Sequence, residues 1–297
     1  MFAASAVPDP SALPTPIEVR RIAVGDVTLE VRFAGPVDGP PVLCLHGFPQ
    51  CWWAWRQQVE PLVAAGYRLI LPNQRGYGAS DKPAGIASYR LDVLVADLVG
   101  LLDALGIDRV RVVAHDWGGL VAWWFAHTQP ARVERQVILS APHPTPFLHA
   151  MRRPPQVFKS WYIYYFQLPW LPDWAVGNRT LRTLEYVVQT GLVKYPEADL
   201  DVFRAHWAQP GTVTAMLNWY RAFLQQDNAP PPPGPIQPRT LVLWGVADAA
   251  LGTELAHASA ALCADATVEI IPGAGHWIPH EAPDFVNDRL LTFLGAP

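Results

Sequence analysis

The sequence predicts an α/β fold: a mostly parallel sheet covered by helices on both faces, with a helical cap inserted between two strands. Two observations predict it. Short runs of strand length, apolar throughout, recur along the chain, as parallel strands buried on both faces require. Between them lie stretches with apolar residues at intervals of three and four, the spacing of helices that cover such a sheet. The bulk composition agrees. Of 297 residues, 51% are hydrophobic and 16% charged, ample for a deep core and unlike a disordered chain.

VTLEVRF (27–33) alternates apolar and polar residues and reads as a half-exposed strand. PPVLCLHG (40–47) is a short apolar run ended by glycine, and YRLILPNQRG (67–76) repeats the pattern; both read as buried strands. Between these two, WRQQVEPLVAAG has helical spacing and stops at Gly66. SYRLDVLVADLVGLLDAL (88–105) is a second helix, opened by a Ser88 cap and closed by Gly106. VRVVAHDWGG brings the next buried strand, and GGLVAWWFAHTQP is a helix that Pro130 stops. VERQVILSAP (133–142), RTLVLWGVAD (239–248) and ATVEIIPGAGH (266–276) are further strands, with the helical TELAHASAAL between the last two.

Residues 144–234 interrupt the alternation with aromatic-rich helical segments and no convincing strand, which divides the chain into a core first part (1–143), a helical cap (144–234) and a core second part (235–297). Tryptophan is dense between 161 and 219, as suits a lid with an aromatic inner face, and the proline run APPPPGP (229–235) reads as a linker or chain return. The first nineteen residues read as an extended, proline-broken arm rather than a signal peptide. A net charge of -4 with no basic cluster points to no nucleic acid and no anionic membrane, and no run of about eighteen apolar residues suggests a membrane span. Cys44, Cys51 and Cys263 show neither metal-ligand nor disulfide spacing, so a reducing compartment, the cytoplasm, is expected. Oligomeric state is not indicated.

The chemistry gathers at the ends of the expected strands. At HDWGG an apolar run stops at His115, Asp116 follows, and two glycines let the backbone crowd into a helix. Two readings of Asp116 fit this stretch alone. One is a structural Asp or helix N-cap. The other is a nucleophile on the strand–turn–helix elbow of α/β-hydrolases, with aspartate where serine is usual. Asp248 follows one later strand and His276 another, so the chain order is nucleophile, acid, histidine. A carboxylate is ionised at neutral pH and suits attack on an sp³ carbon bearing a leaving group; His276 would then activate water against the resulting ester, and Asp248 would orient it. HGFP (46–49) would aim the N–H of Phe48 at the elbow, and the N–H of Trp117 would be the second donor of an oxyanion hole.

HGFPQCWWAWR, RGYGASDKP (75–83), AHDWGG, APHP (141–144), LWGVAD and GAGHWIPHEAP together resemble the epoxide hydrolases of the α/β-hydrolase superfamily, from about residue 20 onward. The resemblance implies that two lid tyrosines hold the epoxide oxygen. Tyr162 in SWYIYYFQLP and Tyr220 in LNWYR match that pattern, with Tyr164 or Tyr165 as alternatives to Tyr162. It implies a small apolar epoxide as substrate, no cofactor and no metal, and it sets His46, Pro49, Trp117 and Trp161 beside the substrate; support of loop conformation is the other reading for His46, and the one for His115 and His143. Haloalkane dehalogenases share the elbow, and for them Trp161, Trp207 or Trp219 would have to replace the donor that Phe48 lacks. A ligand-binding protein of the same fold with catalysis lost is a third reading. Ser140 stands where many relatives carry Asn and cannot serve as the acid, while Asp265, which precedes a strand, is a weaker candidate than Asp248.

Overall fold

The computed structural model describes residues 13–177, 181–225 and 231–295. Eight strands are described: β1 (Glu18–Val24), β2 (Val27–Ala34), β3 (Pro41–Leu45), β4 (Arg68–Asn73), β5 (Val110–His115), β6 (Val133–Leu139), β7 (Arg239–Gly245) and β8 (Ala266–Ile271). They form one sheet in the order β1-β2-β4-β3-β5-β6-β7-β8. The pairs from β4 to β8 are parallel, whereas β1–β2 and β2–β4 are antiparallel. The apolar runs behave as their composition dictates: all of Val42–Leu45 and Val112–His115 is buried. Two packed helix pairs flank the sheet, Leu91–Ala104 with Asp116–Thr128, and Arg56–Ala64 with Pro283–Leu294.

β1 was not expected from the sequence. EVRRIAV is largely exposed and ends in Gly25 at φ +57, so it is an edge strand held by pairing to β2 rather than by burial of an apolar face. The Ser88 cap is corrected as well. Ser88 lies in the 3₁₀ turn Ile86–Tyr89 and donates to the Ala84 carbonyl (2.9 Å), and the helix begins only at Leu91. The buried Tyr89, donating to the Pro83 carbonyl at 2.8 Å, fixes that turn ahead of the helix. Within the proline run, residues 229–230 lie outside the described residues, as do 1–12 of the N-terminal arm.

Seven helices, from Pro144–Ala150 to Thr212–Gln225, and no strand are described between β6 and β7. Their chain departs from the C-terminal end of β6, the end at which parallel sheets build sites. Their tryptophans do not all turn inward as a lid with an aromatic inner face would have it: Trp207 and Trp219 are buried, but Trp161, Trp170 and Trp174 are exposed.

One buried ion pair ties these helices to the rest. Arg56 Nη2 lies 2.5 Å from Asp199 Oδ2, with about 8% of either side chain exposed. Trp53 Nε1 donates to Asp199 Oδ1 (2.7 Å), and Arg56 Nη2 donates to His280 Nδ1 (2.9 Å). Burial and the Arg56 charge hold the His280 pKa down, so its imidazole is neutral and accepts; its ring stacks on Tyr195 at 3.8 Å. Asp199→Ala would strand the guanidinium of Arg56 in a dry site. A loss of about 3–5 kcal/mol is expected for removing one partner of a buried pair, read from urea unfolding midpoints. A midpoint equal to wild type would show that the pair does not hold these helices down.

Candidate active site

Strand register brings the site together. Leu45 of β3 pairs with Ala114 of β5, so the chains leaving both strands run side by side and set Gly47 and Phe48 against Asp116. Asp116 has φ +50, in the left-handed region that residues with a Cβ avoid, and this lifts its side chain off the sheet edge. His115, not Asp116, occupies the N-cap position, so the helix-cap reading of Asp116 falls. A Cβ on Gly118 would run into the carbonyls of Leu45 and His46, and one on Gly47 into the Asp116 side chain. Only glycine allows so close an approach.

The two oxygens of Asp116 have different surroundings. Oδ1 accepts the Phe48 N–H at 2.7 Å. Oδ2 lies 3.5 Å from His276 Nε2. On the far side of the ring, His276 Nδ1 is 2.8 Å from Asp248 Oδ2. Asp248 Oδ1 accepts the N–H groups of Ala250 and Leu251 at 2.8 and 2.9 Å, which locks the acid's orientation. The pairing of Gly245 with Ile271 keeps these loops adjacent.

Electrostatics follow from that geometry. Burial would raise the pKa of Asp116, but hydrogen bonding and charge from His276, together with the Trp117 N–H, outweigh it and hold the carboxyl ionised. Burial would likewise depress His276, yet the carboxylates of Asp248 and Asp116 lift it well above the ordinary imidazole range.

The inserted helices bring the tyrosines. The Tyr220 ring is buried edge-on to Trp117 (4.8 Å) and Phe48 (5.1 Å), and the Tyr162 ring meets it edge-on at 5.9 Å. Burial and the Asp116 charge push both phenols above their usual pKa, so both keep their protons. Tyr164 points elsewhere and donates to the Met151 carbonyl (2.9 Å), while Tyr165 packs between Trp161 and Phe166.

Two other expected positions differ. Trp161 is corrected: its indole is 62% exposed, because the five-residue helix Trp161–Tyr165 buries Ile163 and turns Trp161 outward. His46 is corrected from substrate contact to loop support. It is fully buried, accepts the Gln74 N–H through Nε2 (3.3 Å) and donates through Nδ1 to the Gly47 carbonyl (3.2 Å); burial pushes its pKa down to about 3. Pro49 is buried in the same loop, and its carbonyl accepts the Trp207 indole N–H at 2.5 Å. His115 donates through Nε2 to the His276 carbonyl (2.9 Å), and His143 Nδ1 accepts the Thr145 N–H (3.1 Å). Asp265 pairs with Arg239 (3.4 Å) on the surface, at the end of the sheet opposite Asp248. Ser140 takes φ +44 at the end of β6 and donates its N–H to the Leu243 carbonyl (2.9 Å).

Three residues near the site were not singled out from the sequence. Glu281 accepts the N–H of Gly275 and, at 2.8 Å, that of Leu192, bracing the His276 loop; its place in GAGHWIPHEAP was a usable signal. Gln156 spans the Asp248 loop, accepting from Gly252 (3.0 Å) and donating to Ala250 (2.8 Å), with no signal to mark it. Tyr77 of RGYGASDKP is buried edge-on to His46 and Trp219, and burial and the Asp116 charge raise its pKa; its hydroxyl has no hydrogen-bond partner among the described residues.

Comparison with known proteins fits this geometry. The family model for the alpha/beta hydrolase fold matches residues 40–283. The chain is 40% identical to AB hydrolase superfamily protein YfhM of Bacillus subtilis, over 94% of this chain and 98% of that one. It is 32% identical to Epoxide hydrolase A of Mycobacterium tuberculosis, over 93% of this chain and 96% of that one. Among solved structures, one of the epoxide hydrolases from metagenomes of hot environments superimposes with a TM-score of 0.84 at 34% identity, covering 94% of this chain and 99% of its own. An epoxide hydrolase from Bacillus megaterium gives 0.83 at 27% identity, covering 93% and 99%. With an aspartate on its elbow, the chain belongs to the epoxide hydrolases of the α/β-hydrolase superfamily.

Proposed function

We propose that the protein hydrolyses small apolar epoxides to vicinal diols through a covalent ester on Asp116, beneath a cap formed by residues 144–234. The unequal surroundings of the Asp116 oxygens carry the reading: Oδ1 rests on the Phe48 N–H (2.7 Å) and Oδ2 faces His276 (3.5 Å). Oδ2 attacks a ring carbon, the ester C–O bond forms as the ring C–O bond breaks, and the departing oxygen takes a proton from Tyr162 or Tyr220. Water then attacks the ester carbon while His276 Nε2 takes its proton. The charge that develops on Oδ1 is held by the N–H groups of Phe48 and Trp117. Collapse breaks the ester C–O bond, and the diol oxygen leaves with the proton from His276; the second proton of the attacking water passes from the Asp116 carboxyl to the tyrosinate, which restores both carboxylate and phenol. Asp248 keeps the imidazole in the tautomer that leaves Nε2 free to accept.

The indoles speak for an epoxide over a halide. Those of Trp207 and Trp219 donate to the carbonyls of Pro49 (2.5 Å) and Arg75 (3.1 Å), and that of Trp161 faces solvent, so none is free to cradle a halide. Phe48, Trp117, Phe166 and Tyr220 offer an apolar wall. A Bacillus megaterium relative is described with a naphthyloxy-propanediol product, which makes aryl-ether epoxides the first substrates to assay.

His276→Gln keeps an N–H donor toward Asp116 and should still permit ester formation while stalling its hydrolysis, with turnover falling by about 10²–10⁴-fold for loss of a general base. Intact-protein mass spectrometry with epoxide should then show enzyme plus one substrate. An unmodified mass together with wild-type turnover would remove His276 from the mechanism.

Tyr162→Phe and Tyr220→Phe should each slow ester formation while leaving residual activity, because either hydroxyl can serve the same oxygen. The double variant should lose about 10²–10⁴-fold in the rate of epoxide opening measured by stopped flow. Undiminished opening in the double variant would exclude both hydroxyls as acids.

Ester formation also retunes the base. It cancels the Asp116 charge, one of the two that hold the imidazolium, so the pKa of His276 must fall as water hydrolysis begins. Asp116→Asn imitates that neutral state. The His276 nitrogens in this variant, followed by NMR, should titrate at lower pH than in wild type. A titration at equal or higher pH would contradict this control of the base.

A further inference from the structure

Among the described residues, every exposed aromatic side chain lies between 158 and 186: Phe158, Trp161, Tyr164, Trp170, Trp174 and Tyr186, from 41% exposed at Tyr164 to 74% at Tyr186. Among the described residues the core exposes no Phe, Trp or Tyr. Such concentration is not the scatter of single apolar residues found on any surface. These residues sit on or beside short helices of the inserted segment, of which Gln156–Lys159 packs on Trp161–Tyr165 and Leu171–Val176 on Arg182–Val188. Trp170 takes φ +48 just ahead of the helix Leu171–Val176, and the Trp174 N–H donates to its carbonyl at 3.0 Å. Residues four apart on one turn share a side, so both indoles stand outward together.

The same stretch is cationic on its surface. Arg152, Arg153, Arg182 and Lys194 are exposed, and none forms an ion pair among the described residues. Of the acids in the segment, Asp173 pairs with Arg221 at 2.5 Å, while Glu185, Glu197 and Asp201 share Arg204 at 2.8, 2.5 and 2.9 Å. This positive surface belongs to a chain whose net charge is -4. A second copy docked about a two-fold axis would bring these unmatched cations against one another. Trp and Tyr rings flanked by Arg and Lys suit a lipid headgroup layer instead, with the rings at the interface and the cations on phosphates.

We propose that the outward face of the inserted helices is a docking surface for an anionic lipid bilayer, on which the protein lies without crossing it. No described helix is long and apolar enough to cross a membrane. The proposal departs from the expectation of no membrane partner, which rested on the absence of a basic cluster in the linear sequence. Docking would put lipid one helix away from Tyr162, the neighbour of the outward-facing Trp161, where an apolar compound dissolved in the bilayer could enter. The docking itself does not depend on the epoxide chemistry.

The test is flotation of the full chain with vesicles of phosphatidylcholine alone and of phosphatidylcholine with phosphatidylglycerol, at low and high salt. Binding should require the anionic lipid and weaken with salt. The pairs Trp170→Ser with Trp174→Ser, and Arg152→Glu with Arg153→Glu, should each cut binding by about 10-fold or more, since each surface cation contributes about 1 kcal/mol. Both should keep wild-type unfolding midpoints and wild-type turnover of a water-soluble epoxide, and should one pair fail to fold, the other carries the test. Wild type that ignores anionic vesicles, or binding that neither pair weakens, overturns the proposal. So does a lipid-free dimer, seen by sedimentation, that Trp174→Ser dissolves, or capture of an acidic protein by a chain that leaves vesicles unbound.

Discussion

A carboxylate buried at the end of β5 loses its hydration, and only opposed donors and charges keep it ionised there. Much of the local structure serves that need. The left-handed turn at Asp116 aims the side chain, and the β3–β5 register delivers the Phe48 N–H to one oxygen. Gly47 and Gly118 let the two loops close to a distance at which any Cβ would intrude. The opposite charge arrives from beyond β8, three strands further along the sheet, as an imidazole held from behind by Asp248. An aspartate at this turn needs the frame, since an uncompensated buried charge would take up a proton.

Three histidines of one neighbourhood show environment assigning the role. His46 and His115 are fully buried without a matched carboxylate, and burial pushes their pKa values down to about 3 and about 4. Each is a neutral strut: one fixes the Phe48 loop, the other grips the His276 carbonyl. His276 differs in facing two carboxylates, which lift its pKa instead. Identical chemistry in the side chain therefore gives two neutral struts and one imidazole poised to hold charge.

The parallel strands, their order along the chain and the Asp116–Asp248–His276 constellation were legible, because an apolar run followed by a polar residue at a glycine turn is a local signal. The approach of the HGFP loop to Asp116 was legible for the same reason. What escaped the sequence depends on partners distant in the chain. β1 carries no apolar face and exists by pairing with β2. The direction of Trp161 is a matter of which neighbour on a short helix is buried, and the sequence, which favoured Tyr162, could not show that Tyr162 meets Tyr220 while Tyr164 bonds the Met151 carbonyl. Arg56 and Asp199 are ordinary charges in sequence, 143 positions apart, and only the fold makes them one buried pair.

The inserted helices work under a constraint the sheet does not share. Short helices bury little area each and must be pinned by specific contacts, so this segment leans on Arg56–Asp199, on Trp207 to the Pro49 carbonyl and on Arg221 to the Phe166 carbonyl. Pinned on one side, it has one inner face, which the site occupies with Tyr162 and Tyr220, and one outer face with no core to cover it. A surface of that kind persists in water only at a cost in apolar exposure, about 25 cal/mol for each Å², and contact with a second apolar phase removes the cost. The tyrosine pair over Asp116 and the ring-studded exterior are thus two sides of the same thin layer.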